Sequence, residues 1–119
     1  QDADRDEPCV KFFNGYDSNF VISGHPVAIT VGDKTGITMI TDTDQPGVQL
    51  YTANSLTGRT GKGGRAYGFR SAFCLETQHY PDSPHFPDFP NTVLAPGSRF
   101  SEKTVYRFFP GRKGIQNNS

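Results

Sequence analysis

Val27-Ala28-Ile29-Thr30-Val31-Gly32-Asp33-Lys34-Thr35-Gly36-Ile37-Thr38-Met39-Ile40-Thr41 is the stretch on which the fold turns. Two runs of apolar and β-branched residues flank Gly32 to Gly36, five residues with the make-up of a hairpin loop. Outward from this hairpin the same pattern repeats. Phe20-Val21-Ile22 precedes it, and Val48-Gln49-Leu50-Tyr51-Thr52 follows, entered through Gln45-Pro46-Gly47. Phe73 to Gln78 and Thr92-Val93-Leu94 read as later strands. Ala95-Pro96-Gly97-Ser98 has Pro and Gly where a type II turn needs them, and Lys103 to Phe109 closes the series. No window keeps apolar residues at i, i+3, i+4 and i+7 for three turns, because Pro or Gly interrupts each one. The pattern predicts an all-β fold, an antiparallel β-sandwich. Leu56 to Ser71 and His79 to Asn91 are left as long loops, a length that compact domains keep for function.

Composition narrows the function classes. The 119 residues carry 12 basic and 12 acidic side chains, a net charge of zero. A nucleic-acid binder needs an excess of Lys and Arg to displace counterions from phosphates, so no nucleic-acid partner is expected. No run approaches the roughly 20 apolar residues of a membrane-spanning helix, so no membrane partner is expected either. With 10 Phe, 5 Tyr and no Trp, a core must be built from aromatic and β-branched residues. The chain opens at Gln1, its only Met is Met39, and no apolar signal-like segment leads it. A processed or truncated N-terminus is the expectation. Cys9 and Cys74 permit one disulfide without requiring it; the alternative is a buried free thiol at Cys74.

Three clusters invite a chemical reading. Gly58 to Gly68 is glycine-rich and basic, but no strand runs directly into it, no helix follows, and Gly61-Lys62 is followed by Gly63 and not by Ser or Thr. That departs from both the dinucleotide and the P-loop patterns, leaving a flexible basic loop. His79, Asp82 and His85 have a ligand-like spacing, yet Pro81, Pro84, Pro87 and Pro90 hold the segment extended. No metal is expected there, and no Gly-x-Ser-x-Gly elbow marks a hydrolase nucleophile. The third cluster comes from strand alternation. Phe73, Leu75 and Thr77 point one way and Cys74, Glu76 and Gln78 the other. In the earlier strand Val48 and Leu50 share a face opposite Gln49 and Tyr51. Glu and Gln on a strand ordinarily just face water, but a carboxylate, two carboxamides and a Tyr together are the groups that bind sugar hydroxyls.

Gly15-Tyr16-Asp17-Ser18-Asn19-Phe20, Gln45 through Asn54, and Phe73 through Asp82 resemble, in this order, the C-terminal third of the aldose 1-epimerases, or galactose mutarotases. Phe89-Pro90, Leu94 to Gly97 and Thr104-Val105-Tyr106 extend the resemblance to the end. It implies that residues 11–109 form the C-terminal portion of a galactose mutarotase-like domain, a large twisted antiparallel supersandwich, between polar tails at 1–10 and 110–119. It implies Glu76 as the general base, with Asp17 and Gln49 binding the substrate, a galactose- or glucose-like monosaccharide whose α and β anomers interconvert by ring opening, without a cofactor or metal. A cleft that raises the base's pKa would serve this role. The family's acid His, a second His and a sugar-binding Arg belong to its N-terminal portion, and His25, His79 and His85 match none of those motifs. Two readings follow. The chain is the C-terminal catalytic portion of an epimerase, with self-association or a complementary N-terminal chain as partner. Otherwise it is a non-catalytic, lectin-like module that retains the sugar face.

Overall fold

The structure, a computed structural model, describes residues 7–111. Eight strands follow one short helix: α1 (Pro8–Phe12), β1 (Asp17–Val21), β2 (Ala28–Val31), β3 (Thr38–Thr43), β4 (Gly47–Tyr51), β5 (Arg59–Thr60), β6 (Ala66–Tyr67), β7 (Cys74–Gln78) and β8 (Thr104–Phe109). They form two three-stranded sheets, ordered β1-β4-β7 and β2-β3-β8, and a separate β5-β6 hairpin. Every pairing is antiparallel. The all-β, antiparallel expectation therefore holds.

The decisive hairpin is present. Ala28 to Val31 pairs with Thr38 to Thr41, and the loop between is closed by Gly32 N–H to Ile37 O at 2.8 Å and Gly36 N–H to Gly32 O at 2.7 Å. From β3 the chain crosses to the other sheet through Asp44 to Pro46. A chain of hydroxyls seams the sheets at this crossing. Thr43 donates to Lys103 O (3.0 Å), which leaves Thr104 to donate to Thr43 (3.0 Å) and Thr77 to donate to Thr104 (2.6 Å). Tyr106 adds a bond from its hydroxyl to Leu75 O at 3.1 Å.

The apolar core is small. Among the described residues only Val48 and Ala53 are buried hydrophobics. The inward face of the first sheet, Phe20, Val48, Leu50 and Leu75, borders a hollow of about 500 Å³ whose other side includes Val27 and Ala28. Phe20 remains 45% exposed and Phe108 65%. The Cα radius of gyration is 17.2 Å, against about 13 Å for a compact domain of this length. The described chain forms sheets whose apolar faces it does not itself cover.

Three expectations need correction. Thr92-Val93-Leu94 is not a strand. Pro90 and Pro96 bracket it, Val93 N–H turns back to Asn91 Oδ1 at 2.9 Å, and neither sheet extends a partner to it. The basic loop at 58–68 holds the β5-β6 hairpin, whose turn is closed by Gly61 N–H to Arg65 O at 2.6 Å. Cys74 is neither buried nor bridged: both cysteines are free and exposed. It begins an edge strand and lies on that strand's open face, where no second layer covers it.

Candidate active site

The outer face of the β1-β4-β7 sheet carries the candidate residues in three rows. Register places Asp17 opposite Tyr51 and Tyr51 opposite Cys74. The next row is Asn19, Gln49 and Glu76, and the last is Val21, Gly47 and Gln78. Asp17, Gln49 and Glu76, singled out from the sequence, thus share one face of three adjacent strands. Strand β1 begins three residues before the expected Phe20, and that earlier start is what brings Asp17 and Asn19 into the sheet.

Hydrogen bonds order this face. Gln49 Nε2 donates to Asp17 Oδ1 at 2.8 Å. Gln78 Nε2 donates to Asn19 Oδ1 at 3.1 Å and to Gln49 Oε1 at 3.2 Å. The bond to Asn19 spans the whole of β4, which is possible because Gly47 has no side chain. A Cβ there would lie 2.7 Å from Asn19 Oδ1 and 3.1 Å from a ring carbon of Tyr80. Glu76, directly across from Gln49, is exposed and makes no side-chain hydrogen bond among the described residues.

Beside this network lies a concavity of about 590 Å³ lined by Phe12, Phe13, Asp17, Tyr51, Asn54, Ser55 and Glu76, within the size range of small-molecule sites. Its rim is held by the loop after β4. Tyr51 Oη and Ser55 Oγ are 2.6 Å apart. Asn54 Nδ2 donates to Tyr16 O at 2.8 Å, and Thr52 Oγ1 to Asn54 Oδ1 at 2.7 Å. Gly15 permits this approach: at φ +147° a Cβ would fall 2.1 Å from Asn54 Oδ1. Helix α1 and the residue after it bring Phe12 and Phe13, packed edge to face at 4.9 Å between centroids, to the same hollow. The sequence carries no periodic signal for that pair. Asn19 was within reach of sequence reasoning, since it stands two residues from Asp17 on the same strand face.

None of the three histidines lines this concavity. His25 Nδ1 lies 2.5 Å from Asp42 Oδ1, bracing the β1-β2 connection against β3. That hydrogen bond, more than any other contact, holds the Asp42 carboxyl below its ordinary 3.8. His85 pairs with Asp82, and His79 borders a different hollow with Gln45 and Arg99. Among the described residues no group of three or more His, Cys, Asp or Glu side chains is arranged to hold a metal ion.

An open antiparallel sandwich with a carboxylate and carboxamide face has close relatives. The sequence profile of the Aldose 1-epimerase family matches residues 1–107. Galactose mutarotase of Homo sapiens is 41% identical over 100 residues, covering 80% of this chain and 29% of that protein. The aldose 1-epimerase of Escherichia coli (strain K12) is 33% identical over 113 residues, 89% of this chain and 32% of that one. Among solved structures, the GalM/aldose epimerase homologue from C. elegans superposes with a TM-score of 0.71 at 28% identity, over 81% of this chain and 30% of its own. The chain belongs to the aldose 1-epimerase family. It spans a little under a third of the length of these relatives.

Proposed function

We propose that this chain supplies the sugar-binding and proton-abstracting part of an aldose 1-epimerase acting on a galactose- or glucose-like aldose. The observation that carries the reading is the placement of Glu76 on the same sheet face as the bonded pair Asp17 and Gln49, unpartnered and at the edge of a sugar-sized concavity. Asp17 keeps an oxygen to accept from one sugar hydroxyl, and Gln49 keeps an N–H to donate to another. Glu76 takes the proton of the anomeric hydroxyl while an acid protonates the ring oxygen. The C1–O5 bond breaks and C1 becomes an aldehyde. Rotation about C1–C2 exposes its other face, and the reverse proton transfers reclose the ring. A carboxylate outside a hydrogen-bond network is free to accept that proton.

The acid is proposed to come from outside this chain, since no imidazole borders the concavity. The same complement explains the uncovered apolar faces. Edge strands β1, β7, β2 and β8 and the hollow beside Phe20, Leu50 and Leu75 are the surfaces that such an N-terminal complement would cover. The absent imidazole also favours a second reading, a lectin-like module that binds sugar without turnover. NMR titration of the labelled chain with galactose, followed by polarimetry on α-glucose, tests both. The first reading expects shifts at Asp17, Gln49 and Glu76, little turnover by the chain alone, and turnover on adding the N-terminal two thirds of a relative. Binding without turnover after that addition favours the lectin-like module. No perturbation by galactose removes the site.

A further inference from the structure

We propose that Gln78, held in turn by Asn19, is a positioning residue that locks the Gln49 carboxamide in the orientation the Asp17 carboxylate dictates, and so holds the donor and acceptor pattern offered to a sugar. This rests on the reading of Asp17, Gln49 and Glu76 as a sugar site. The reasoning starts at Asp17, whose ionised carboxylate can only accept. The atom of Gln49 that meets it at 2.8 Å is therefore the amide nitrogen. Gln49 must then turn its carbonyl oxygen towards Gln78, so the atom Gln78 presents at 3.2 Å is its own nitrogen. The second hydrogen of that nitrogen goes to Asn19 at 3.1 Å, which must receive it on Oδ1. Each amide orientation follows from the one before, and the direction of the whole relay is set by a single charge.

The consequence is a fixed set of unused groups. Gln78 has committed both N–H bonds and keeps its oxygen; Asn19 keeps its NH2; Gln49 keeps one N–H; Asp17 keeps its second oxygen. Asp17 and Gln49 thus present an acceptor beside a donor, the complement of two neighbouring hydroxyls of which one donates and the other accepts. Without Gln78, the Gln49 oxygen is held by no donor among the described residues, and only the bond from the Gln49 nitrogen to Asp17 opposes rotation. Gln78→Glu goes further, because a carboxylate at 78 competes with Asp17 for the same amide hydrogens. Gly47 is the spatial condition for the relay, as it leaves the lane that Gln78 crosses to reach Asn19.

The test reads orientation and binding separately, on the 119-residue chain. The side-chain amide resonances of Gln49, assigned by their loss in Gln49→Glu, are followed without sugar in the unsubstituted chain, Gln78→Leu, Gln78→Glu and Asn19→Asp. The last keeps the acceptor at position 19 and should leave Gln49 as it is. The expected result is a displaced and faster-exchanging Gln49 amide in both Gln78 variants and a preserved one in Asn19→Asp. Galactose is then titrated, and Gln78→Leu should raise its Kd about three- to tenfold, the worth of one hydrogen bond. A displaced Gln49 amide in a chain that binds no galactose supports the relay and refutes the sugar-site reading. A Gln49 amide unmoved in both Gln78 variants, with backbone spectra showing folded protein, overturns the relay whether or not galactose binds.

Discussion

Gly47→Ala puts the close packing of the outer sheet face to a quantitative test. The new Cβ would sit 2.7 Å from Asn19 Oδ1, 3.1 Å from Asn19 Nδ2 and 3.1 Å from a Tyr80 ring carbon. The first distance forces Asn19 to move, and Asn19 Oδ1 is the acceptor of the 3.1 Å bond from Gln78. Losing that bond costs about 0.5–1.5 kcal/mol. Against this, replacing Gly by Ala restricts the unfolded chain and returns about 0.4–1 kcal/mol. The net single-mutant effect is therefore small, and a stability measurement on Gly47→Ala alone is a weak test. The double-mutant cycle with Asn19→Ala is a strong one, because the unfolded-state contribution appears in both backgrounds and cancels. Gly47→Ala should cost about 1 kcal/mol more when Asn19 is present than when it is truncated, as contacting residues typically couple by 0.5–3 kcal/mol. Urea unfolding of the four proteins supplies the cycle. Additivity within about 0.3 kcal/mol, the behaviour of distant sites, would mean that Asn19 does not occupy the space above Gly47.

Glu76→Gln in the complemented protein should lower anomer interconversion by about 10²–10⁴-fold, the usual worth of a general base, while galactose binding by NMR changes little; undiminished polarimetric rates would exclude Glu76 as the base. The Asp42 carboxyl, held below 3.8 chiefly by its hydrogen bond to His25, stabilises the fold above pH 3.8, and that contribution is lost as pH falls through the lowered folded value. His25→Ala should move the NMR titration of Asp42 upward, towards 3.8, and an unmoved titration would show that another group holds it down. The chain alone, with Phe20, Ile29 and Phe108 exposed and, among the described residues, the edges of both three-stranded sheets unpaired, should self-associate at micromolar concentration in light scattering. A clean monomer with protected edge-strand amides would count against the uncovered-face argument.

How much of this was legible beforehand depends on the range of the interaction. Alternation is local, so the sequence determined that Glu76 and Gln78 share one side of their strand and Gln49 and Tyr51 one side of theirs, and the Gly32 to Gly36 loop announced its hairpin. The motifs around Asp17, Gln49 and Glu76 were enough to raise the family. Pairing partners and register are not local. Only the tertiary structure decided that β4 lies between β1 and β7, which sets Gln49 opposite Glu76 and lets Gln78 reach Asn19 over Gly47. It also decided against a strand at Thr92 to Leu94, where residues of suitable propensity are paired with none of the sheet edges, since a strand's hydrogen bonds require a neighbour that its own sequence cannot provide. The exposure of Cys74 and Glu76 has the same origin: burial depends on what is layered over a sheet, and the described chain lays no second sheet over this face, only the rim of its concavity and the Tyr80 ring beside Gly47.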